Sequence, residues 1–301
     1  MHDYILWMMH DTLRRWRGMS LDRLVFDSID PCFDPKWQAG HDRWERDLAE
    51  RAKVVFCTAR TLRDRVEPIN PNSYLLPNAA DTSSFVEPAE RDDPTPVLGY
   101  LGTFDARVDV AFLERLVEAL PHCRFEFAGR VNPDQVERVA GLRAMPNVMM
   151  PGRISNEEGV EMLRRIDVGL IPFAPGEASD AINPVKMHNY LAAGVPVLST
   201  AIAECAAVSP PRVWTWGGQG DPGALLSEVL ASAGDPDDRE SRRAWVRDNT
   251  WADRAAEAVK RLHHHGLFVR RRVRPATKPA QWPREAVGHG AGARPPADAN
   301  E

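Results

Sequence analysis

The feature that most constrains the fold is a regular alternation of short apolar runs with longer amphipathic segments. Runs of about five residues rich in Val, Leu, Phe and Ile predict buried strands, and longer stretches with apolar residues at helical spacing predict helices. Short connections between such elements favour right-handed βαβ units, and hence parallel sheets. The sequence therefore predicts an α/β protein with doubly wound, Rossmann-like sheets.

A charged, proline-containing segment, RDDPTP at 91–96, interrupts the alternation once. The strands predicted before it are 4–8, 23–27, 53–57 and 73–77, and those predicted after it are 97–102, 124–129, 147–152, 167–173, 195–200 and 213–216. The predicted helices are 12–17, 36–52, 61–67, 109–120, 134–142, 155–166, 187–193, 221–234 and 240–262.

Four segments follow from this pattern. They are a first Rossmann-like domain at 1–92, a second at 93–240, a crossover helix within 241–265, and a tail at 266–301 rich in Pro, Ala, Gly and Arg, for which we predict disorder. A βαβ unit takes about 30 residues or more. The first domain therefore has room for only three or four strands, and we expect it to be shortened and to self-associate through its uncovered sheet.

Composition excludes several classes of protein. The net charge of −5 gives no basic footprint for nucleic acid. The four cysteines are scattered singly, which predicts no disulfide or zinc framework. No apolar run approaches the ~20 residues of a membrane-spanning helix, and the first residues lack a signal-peptide pattern. We expect a cytoplasmic protein.

The segment INPVKMHNYLAAGVPVLST, at 182–200, has an unusual helix start. Asn183 followed by Pro184 is a strong signal for a helix N-terminus, where free N–H groups and the helix dipole favour an anion. Lys186 in the first turn is disfavoured by that dipole unless an anion binds beside it. The alternative is a solvated lysine without a ligand.

Three predicted strands end in glycine, at Gly102, Gly129 and Gly152, and Arg107, Arg130 and Arg153 follow them. Ligands of open α/β sheets bind at the carboxyl ends of the strands. Glycine at such an end lets the backbone approach a phosphate, and arginine adds charge. One rim is thus expected to hold a nucleoside diphosphate.

The second half resembles the nucleotide-sugar half of the retaining glycosyltransferases of family four, which have the GT-B fold. The resemblance lies in LGYLGTFDARVD at 98–109 and PVKMHNYLAAGVPVLST at 184–200, supported by LLPNAADTSSF at 75–85, DRLVFDSID at 22–30 and TWADRA at 250–255. It implies a bacterial, metal-independent enzyme that uses a UDP- or GDP-linked sugar as co-substrate, without a further cofactor. The acceptor would be a saccharide or a lipid-linked hydroxyl.

The resemblance also implies residue roles. Lys186 and Arg107 would face the diphosphate, and Glu177 would lie in a loop near the donor sugar. The other donor-binding positions that it implies are Gly102, Thr103, Gly129, Gly152, Arg153, Ile154, Asn183 and Asn189.

This chain departs from the family pattern in two ways. Asn189 stands where the family has a ribose-binding glutamate, so a charge-assisted hydrogen bond is lost. The family's opening glycine loop and its acceptor-side histidine have no counterpart in the first domain. His10 and His41 are weak candidates for that histidine, since a lone histidine is more often structural or solvated.

We therefore expect a glycosyltransferase that retains the anomeric configuration, acting in polysaccharide, glycolipid or glycoconjugate biosynthesis. The alternative is a non-catalytic homologue that binds a nucleotide or serves as a partner subunit. A nicotinamide-dependent oxidoreductase is disfavoured because no GxGxxG follows the first strand. The basic run at 270–274 is compatible with weak contact with the inner face of an anionic membrane, but a soluble basic tail is the favoured interpretation.

Overall fold

The computed structural model describes residues 5–9, 21–30, 35–80, 82–217 and 219–268. Their first sheet has four parallel strands in sequential order, namely β1 (Leu6–Met8), β2 (Leu24–Ser28), β3 (Val54–Cys57) and β4 (Ser73–Leu75). Helices α1 (Pro35–Arg51) and α2 (Arg60–Val66) connect β2 to β3 and β3 to β4. The predicted α/β class is confirmed, and each of these elements lies within three residues of its predicted bounds.

The second sheet has six parallel strands in the order β10-β9-β8-β5-β6-β7. They are β5 (Val97–Leu101), β6 (Arg124–Ala128), β7 (Val148–Gly152), β8 (Val168–Ile171), β9 (Val197–Thr200) and β10 (Val213–Trp216). Strand order reverses between β5 and β8. In this arrangement of strands, the crevice at the reversal is where a nucleotide binds.

Helices cover both faces of the second sheet. The helices that follow β5 are α3 (Val110–Ala119), α4 (Ala140–Ala144), α5 (Asn156–Arg165), α6 (Glu177–Asp180), α7 (Val185–Ala192), α8 (Ala203–Ala206), α9 (Pro222–Gly234), α10 (Pro236–Arg247) and α11 (Trp251–His264), the last of which packs on the first sheet, and 3-10 turns lie at Thr82–Ser84 and Pro133–Gln135. Successive side chains of a strand point to opposite faces. The sheet therefore contributes to two apolar clusters, with Leu98 and Phe125 in one and Val97 and Val197 in the other.

Two helix predictions are wrong in detail. Residues 134–142 form a 3-10 turn, a further turn and then α4, and the chain turns so that Val139 and Leu142 both reach the core. The single helix predicted over 240–262 is two helices, α10 and α11. It breaks before Thr250, whose hydroxyl accepts the N–H of Asp253 while the Asp253 carboxylate accepts the N–H of Thr250, which is a capping box.

The break at Thr250 lets the chain return to the first sheet. Helix α10 packs on α7 and α9 of the second domain, whereas Ala258 and Leu262 of α11 pack against Val25, Val54 and Phe56 of the first sheet. Leu267 belongs to the same cluster, and it is buried. The tail predicted to be disordered from residue 266 is therefore wrong at its start, because Leu267 is packed against the first sheet. The disorder predicted for 269–301 and the helix predicted at 12–17 lie outside the described residues.

No helix among the described residues is both long and apolar enough to cross a membrane.

Candidate functional site

The carboxyl ends of β5, β6 and β7 meet through backbone groups. The Gly102 N–H donates to the Ala128 carbonyl at 2.9 Å, and the Gly129 N–H donates to the Gly152 carbonyl at 2.8 Å. Gly129 has φ of +150°, and a Cβ on it would lie 1.9 Å from the Gly102 carbonyl oxygen. Only glycine fits there, so the glycines singled out in the sequence form one continuous rim.

Lys186 reaches this rim from the first turn of α7. Its Nζ lies 4.5 Å from the centre of the Phe173 ring and 4.9 Å from that of Tyr100. A Cβ on Gly102 would come within 3.0 Å of the same atom. Because Gly102 follows β5 and Phe173 follows β8, the ammonium group lies at the reversal of strand order.

The environment of Lys186 disfavours its charge. Burial, and then the nearby Arg107 guanidinium, lower the pKa of Lys186 to about 8, although Asp105 acts in the opposite direction. Within the described part of the chain, no carboxylate forms an ion pair with Lys186. The two aromatic faces give it a cation–π contact, and an arriving anion would supply the missing charge.

Arg107 lies over the same aromatic ring, with Cζ 5.6 Å from the centre of Phe173. Asp105 holds it in place, because Arg107 Nε donates to Oδ1 at 2.9 Å and Nη2 lies 2.5 Å from Oδ2. Burial raises the pKa of Asp105, but the hydrogen bonds from Arg107 outweigh it and keep that pKa below its usual value. The guanidinium is thus oriented beside Lys186 before any ligand arrives.

Asn183 does not cap α7, which corrects the predicted helix start. The helix begins at Val185 with Pro184 in the N-cap position and no side-chain cap. The Asn183 amide is instead buried, donating through Nδ2 to Glu204 Oε2 at 3.0 Å and accepting the Asn78 N–H at 3.2 Å. Its side chain therefore joins two domains, and its predicted donor-binding role stays a prediction.

Glu177 lies in the short helix α6, not in the predicted loop. It is exposed, and it lines a cavity of about 420 Å³ with residues of α1 and α2, among them Asp42, Glu45 and Arg65. This carboxylate therefore faces the first domain. No contact between it and Lys186 is present in the described residues.

The remaining predicted positions surround the rim. The Thr103 carbonyl accepts the Tyr100 hydroxyl at 2.9 Å. Gly152 has φ of +83° with open space around it, and Arg153 is exposed. Ile154 is half-buried and packs against the apolar cluster beneath α5 and α7. Asn189 is half-buried one turn after Lys186 on α7.

Sequence reasoning missed the residues that form the floor of the site. Tyr100 and Phe173 carry no motif of their own, although Tyr100 shares a strand face with Gly102. Glu204 was also missed, since nothing in its sequence context marks it as a contact between domains.

Two larger cavities, of about 530 and 600 Å³, lie elsewhere, beside β6, β7 and α5. Both are lined by Glu126 and Arg165, which form an ion pair, and neither includes Lys186 or Gly102. Three arginines line the first of these cavities, but each forms an ion pair with a carboxylate: Arg91 with Asp167, Arg124 with Asp93 and Arg165 with Glu126. Among the described residues, no group of three or more His, Cys, Asp or Glu side chains could hold a metal ion.

No family model matches the chain. Sucrose-phosphate synthase from Thermosynechococcus elongatus superposes with a TM-score of 0.61 at 15% identity, over 81% of this chain and 68% of that one. HepE from Anabaena, determined with UDP and glucose, superposes with a TM-score of 0.62 at 13% identity, over 80% and 71%. This chain has the GT-B fold of glycosyltransferases.

A sequence relative is also described as a glycosyltransferase. The chain is 26% identical over 159 residues to TuaH of Bacillus subtilis (strain 168), described as a putative teichuronic acid biosynthesis glycosyltransferase. That match spans 52% of this chain and 40% of the relative. The resemblance to GT-B glycosyltransferases drawn from the motifs is confirmed, whereas membership of family four stays a prediction.

Proposed function

We propose that this GT-B protein transfers a sugar from a nucleoside diphosphate sugar to a hydroxyl acceptor. The observation that carries the proposal is the pair of cations, Lys186 and Arg107, at the reversal of strand order beside a glycine rim. HepE, which shares the fold, was determined in complex with UDP, and this supports a nucleotide as the ligand of the present chain. A saccharide or lipid-linked acceptor is the class that such a donor serves.

In the proposed reaction, the bond between the anomeric carbon and the β-phosphate oxygen breaks, and the diphosphate leaves with the bonding electrons. The acceptor oxygen forms its new bond on the same face of the sugar, and its proton passes to the departing phosphate oxygen. Negative charge therefore grows on the diphosphate. Lys186, Arg107 and the N–H groups at the start of α7 would stabilise that charge, which is the largest usual contribution to such catalysis.

A second candidate is a nucleotide-binding homologue that transfers nothing. Asn189 in place of a ribose-binding glutamate favours it, as does the absence of a recognised acceptor-side histidine from the described residues. Our earlier expectations of retention, of cytoplasmic localisation, of weak membrane contact and of self-association all stay predictions.

A turnover assay separates the two candidates. The chain is incubated with UDP- and GDP-linked sugars and a panel of hydroxylated acceptors, and released nucleoside diphosphate is measured. We expect acceptor-dependent release that falls at least 100-fold in Lys186→Met, since electrostatic groups of this kind contribute about that much. Nucleotide binding without acceptor-dependent release would favour the non-catalytic candidate.

A further inference from the structure

Glu204 is a buried carboxylate that the proposed chemistry does not use. It lies in α8 of the second domain and is 2% exposed. Its Oε1 accepts the backbone N–H of Arg60 at 2.8 Å, and its Oε2 accepts Arg60 Nη1 at 2.9 Å. Arg60 is the first residue of α2, in the other domain. A carboxylate is rarely buried to this degree unless it is paired, so these contacts explain how Glu204 remains in the interior.

The contact also completes a helix that lacks its own cap. The N-cap of α2 is Ala59, whose side chain cannot accept a hydrogen bond from the helix. Glu204 of the second domain supplies that acceptor. The Arg60 N–H at the start of α2 therefore has this acceptor only while the two domains are docked.

The same carboxylate reaches the segment that carries Lys186. Glu204 Oε2 accepts Asn183 Nδ2 at 3.0 Å, and Asn183 Oδ1 lies 3.0 Å from Nε2 of His188 on α7. On the side of the first domain, Asn78 Nδ2 donates to the Asn183 carbonyl at 2.6 Å. Asn183 is thus held from three directions, three residues before Lys186.

A neighbouring pair of bonds fixes the preceding residues. The Thr61 hydroxyl of α2 donates to the Asp180 carbonyl at 2.8 Å, and Asp180 Oδ1 accepts the N–H of Ala203 at 2.8 Å. Hydrogen bonds therefore fix the segment from Asp180 to Pro184 at both ends, between the first domain and α7. Polar networks buried in this way rigidify what they join.

We propose that Glu204 and Asn183 are positioning residues that hold α7, and with it Lys186, against the Gly102 rim by tying α7 to the first domain. The proposal rests on the donor-binding role proposed for Lys186. It differs from that role because neither Glu204 nor Asn183 needs to touch the nucleotide. Docking of the first domain and the shape of the phosphate site are thereby coupled.

The polarity of the Glu204–Asn183 bond permits a swap. Both Glu204 oxygens accept from donors, so the NH2 group of Glu204→Gln must face a donor, either Asn183 Nδ2 or the Arg60 N–H. Asn183→Asp puts a carboxylate against Glu204, so each single change disrupts the network at nearly constant size. The double variant Glu204→Gln with Asn183→Asp restores one donor and one acceptor. The matched control is Glu67→Gln, a carboxylate at the exposed end of the same helix α2, paired there with Arg63.

Two measurements report on the position of Lys186. One is the dissociation constant for UDP and GDP, measured by calorimetry. The other is the pKa of the Lys186 amine, measured by NMR after reductive ¹³C-methylation, which is tractable because the chain has five lysines and Lys186→Met identifies the signal. Equilibrium unfolding of every variant gives its stability separately.

We expect Glu204→Gln to weaken diphosphate binding roughly fivefold and Asn183→Asp roughly tenfold or more, with the double variant within about threefold of the parent. The Lys186 pKa should rise from about 8 toward its ordinary value in the single variants and return in the double variant. In a Lys186→Met background, Glu204→Gln should cause no further loss of affinity, while it still lowers stability. Glu67→Gln should change neither readout.

Single variants that bind diphosphate like the parent, with an unmoved Lys186 pKa, would overturn the proposal. So would an undiminished effect of Glu204→Gln in the Lys186→Met background, because the effect would then not pass through Lys186. If the parent binds neither UDP nor GDP, the proposed function fails. The rise of the Lys186 pKa in the single variants, and its return in the double variant, would still decide whether the network positions that lysine.

Discussion

The carboxyl ends of the two sheets differ in which groups are exposed there: backbone groups in the second sheet and side chains in the first. In the second sheet, a glycine ends β7 and follows β5 and β6, and backbone hydrogen bonds from Gly102 to Ala128 and from Gly129 to Gly152 join the three strand ends and leave the rim open. In the first sheet, side chains occupy the equivalent edge, where the Ser28 hydroxyl donates to Glu45 Oε1 at 2.6 Å and the Thr58 hydroxyl donates to the Ile29 carbonyl. The open backbone of the second sheet suits a phosphate. At the edge of the first sheet, these polar groups already form hydrogen bonds with residues of their own domain.

The two domains also differ in how they complete their cores. Both faces of the second sheet are covered mainly by helices of its own domain. One face of the first sheet is covered by α1 and α2, but the other is covered by α11 and Leu267 from the end of the described chain. The first domain therefore depends on a helix that follows the second, and on Glu204 to cap α2.

The largest effect should come from Gly129→Ala. Its Cβ would meet the Gly102 carbonyl oxygen at 1.9 Å in a backbone conformation of φ +150°, so the rim must open. We expect a loss of more than about 3 kcal/mol in the free energy of unfolding. Gly152→Ala is the control, since a Cβ there meets nothing within 4 Å, and should cost about 1 kcal/mol. Equal, small losses on urea denaturation would show that the rim is not tightly packed.

The next largest should come from Leu262→Ala on α11. The side chain is 3% exposed and packs on the first sheet, so its removal should cost about 2–4 kcal/mol. Val259→Ala on the same helix is exposed and should cost less than about 0.5 kcal/mol. Hydrogen exchange should show the loss in β2 and β3. A loss confined to α11 would mean that the first domain is stable without it.

A smaller effect on the free energy of unfolding should come from Lys186→Met, which should stabilise the protein rather than destabilise it. Burial lowers the pKa of Lys186 to about 8 from its ordinary 10.5, so the folded chain binds fewer protons than the unfolded chain between those values. The free energy of unfolding of the parent should therefore rise with pH from about 8 to about 10.5. At pH 7 the variant should be more stable by about 1 kcal/mol, and this advantage should shrink across that window in thermal denaturation. A constant difference would mean that the Lys186 pKa is ordinary.

The smallest expected effect is that of Asn189→Glu on nucleotide binding. A carboxylate at this half-buried position should accept a ribose hydroxyl more strongly than an amide does, tightening UDP or GDP binding by about threefold. Asn189→Gln has the same added length without the charge and should leave binding unchanged. Calorimetry compares the two, and weaker binding in the glutamate variant would show that the ribose lies elsewhere.

Sequence was informative where one physical cause dominates a local pattern. Period and apolarity located the strands, and the helix predicted over 155–166 is α5, whose start is fixed by a local interaction, the capping box of Ser155 and Glu158. Glycines after strands located the rim, since only glycine fits at Gly129. The break between α10 and α11 was missed because the polar and apolar spacing continues across Thr250.

The contacts between domains could not be predicted, because they join residues far apart in the chain. Arg60 and Glu204 are separated by 144 positions, and each has a neutral explanation in its own surroundings. Asn183 illustrates the difficulty. Its place before a proline predicted a helix cap, yet its amide forms hydrogen bonds with Glu204 and Asn78 at the domain interface instead. Tyr100 and Phe173 were likewise indistinguishable from core aromatics.

The central claim is that the rim of the second sheet binds a nucleoside diphosphate through Lys186. The most direct measurement is a calorimetric titration of UDP and GDP into the parent, into Lys186→Met and into Lys260→Met, a matched change at an exposed lysine of α11. We expect parent and Lys260→Met to bind one of the nucleotides equally, and Lys186→Met to bind it roughly 10- to 100-fold more weakly, the contribution of a hydrogen bond to a charged group. Equal affinity in all three proteins would contradict the account.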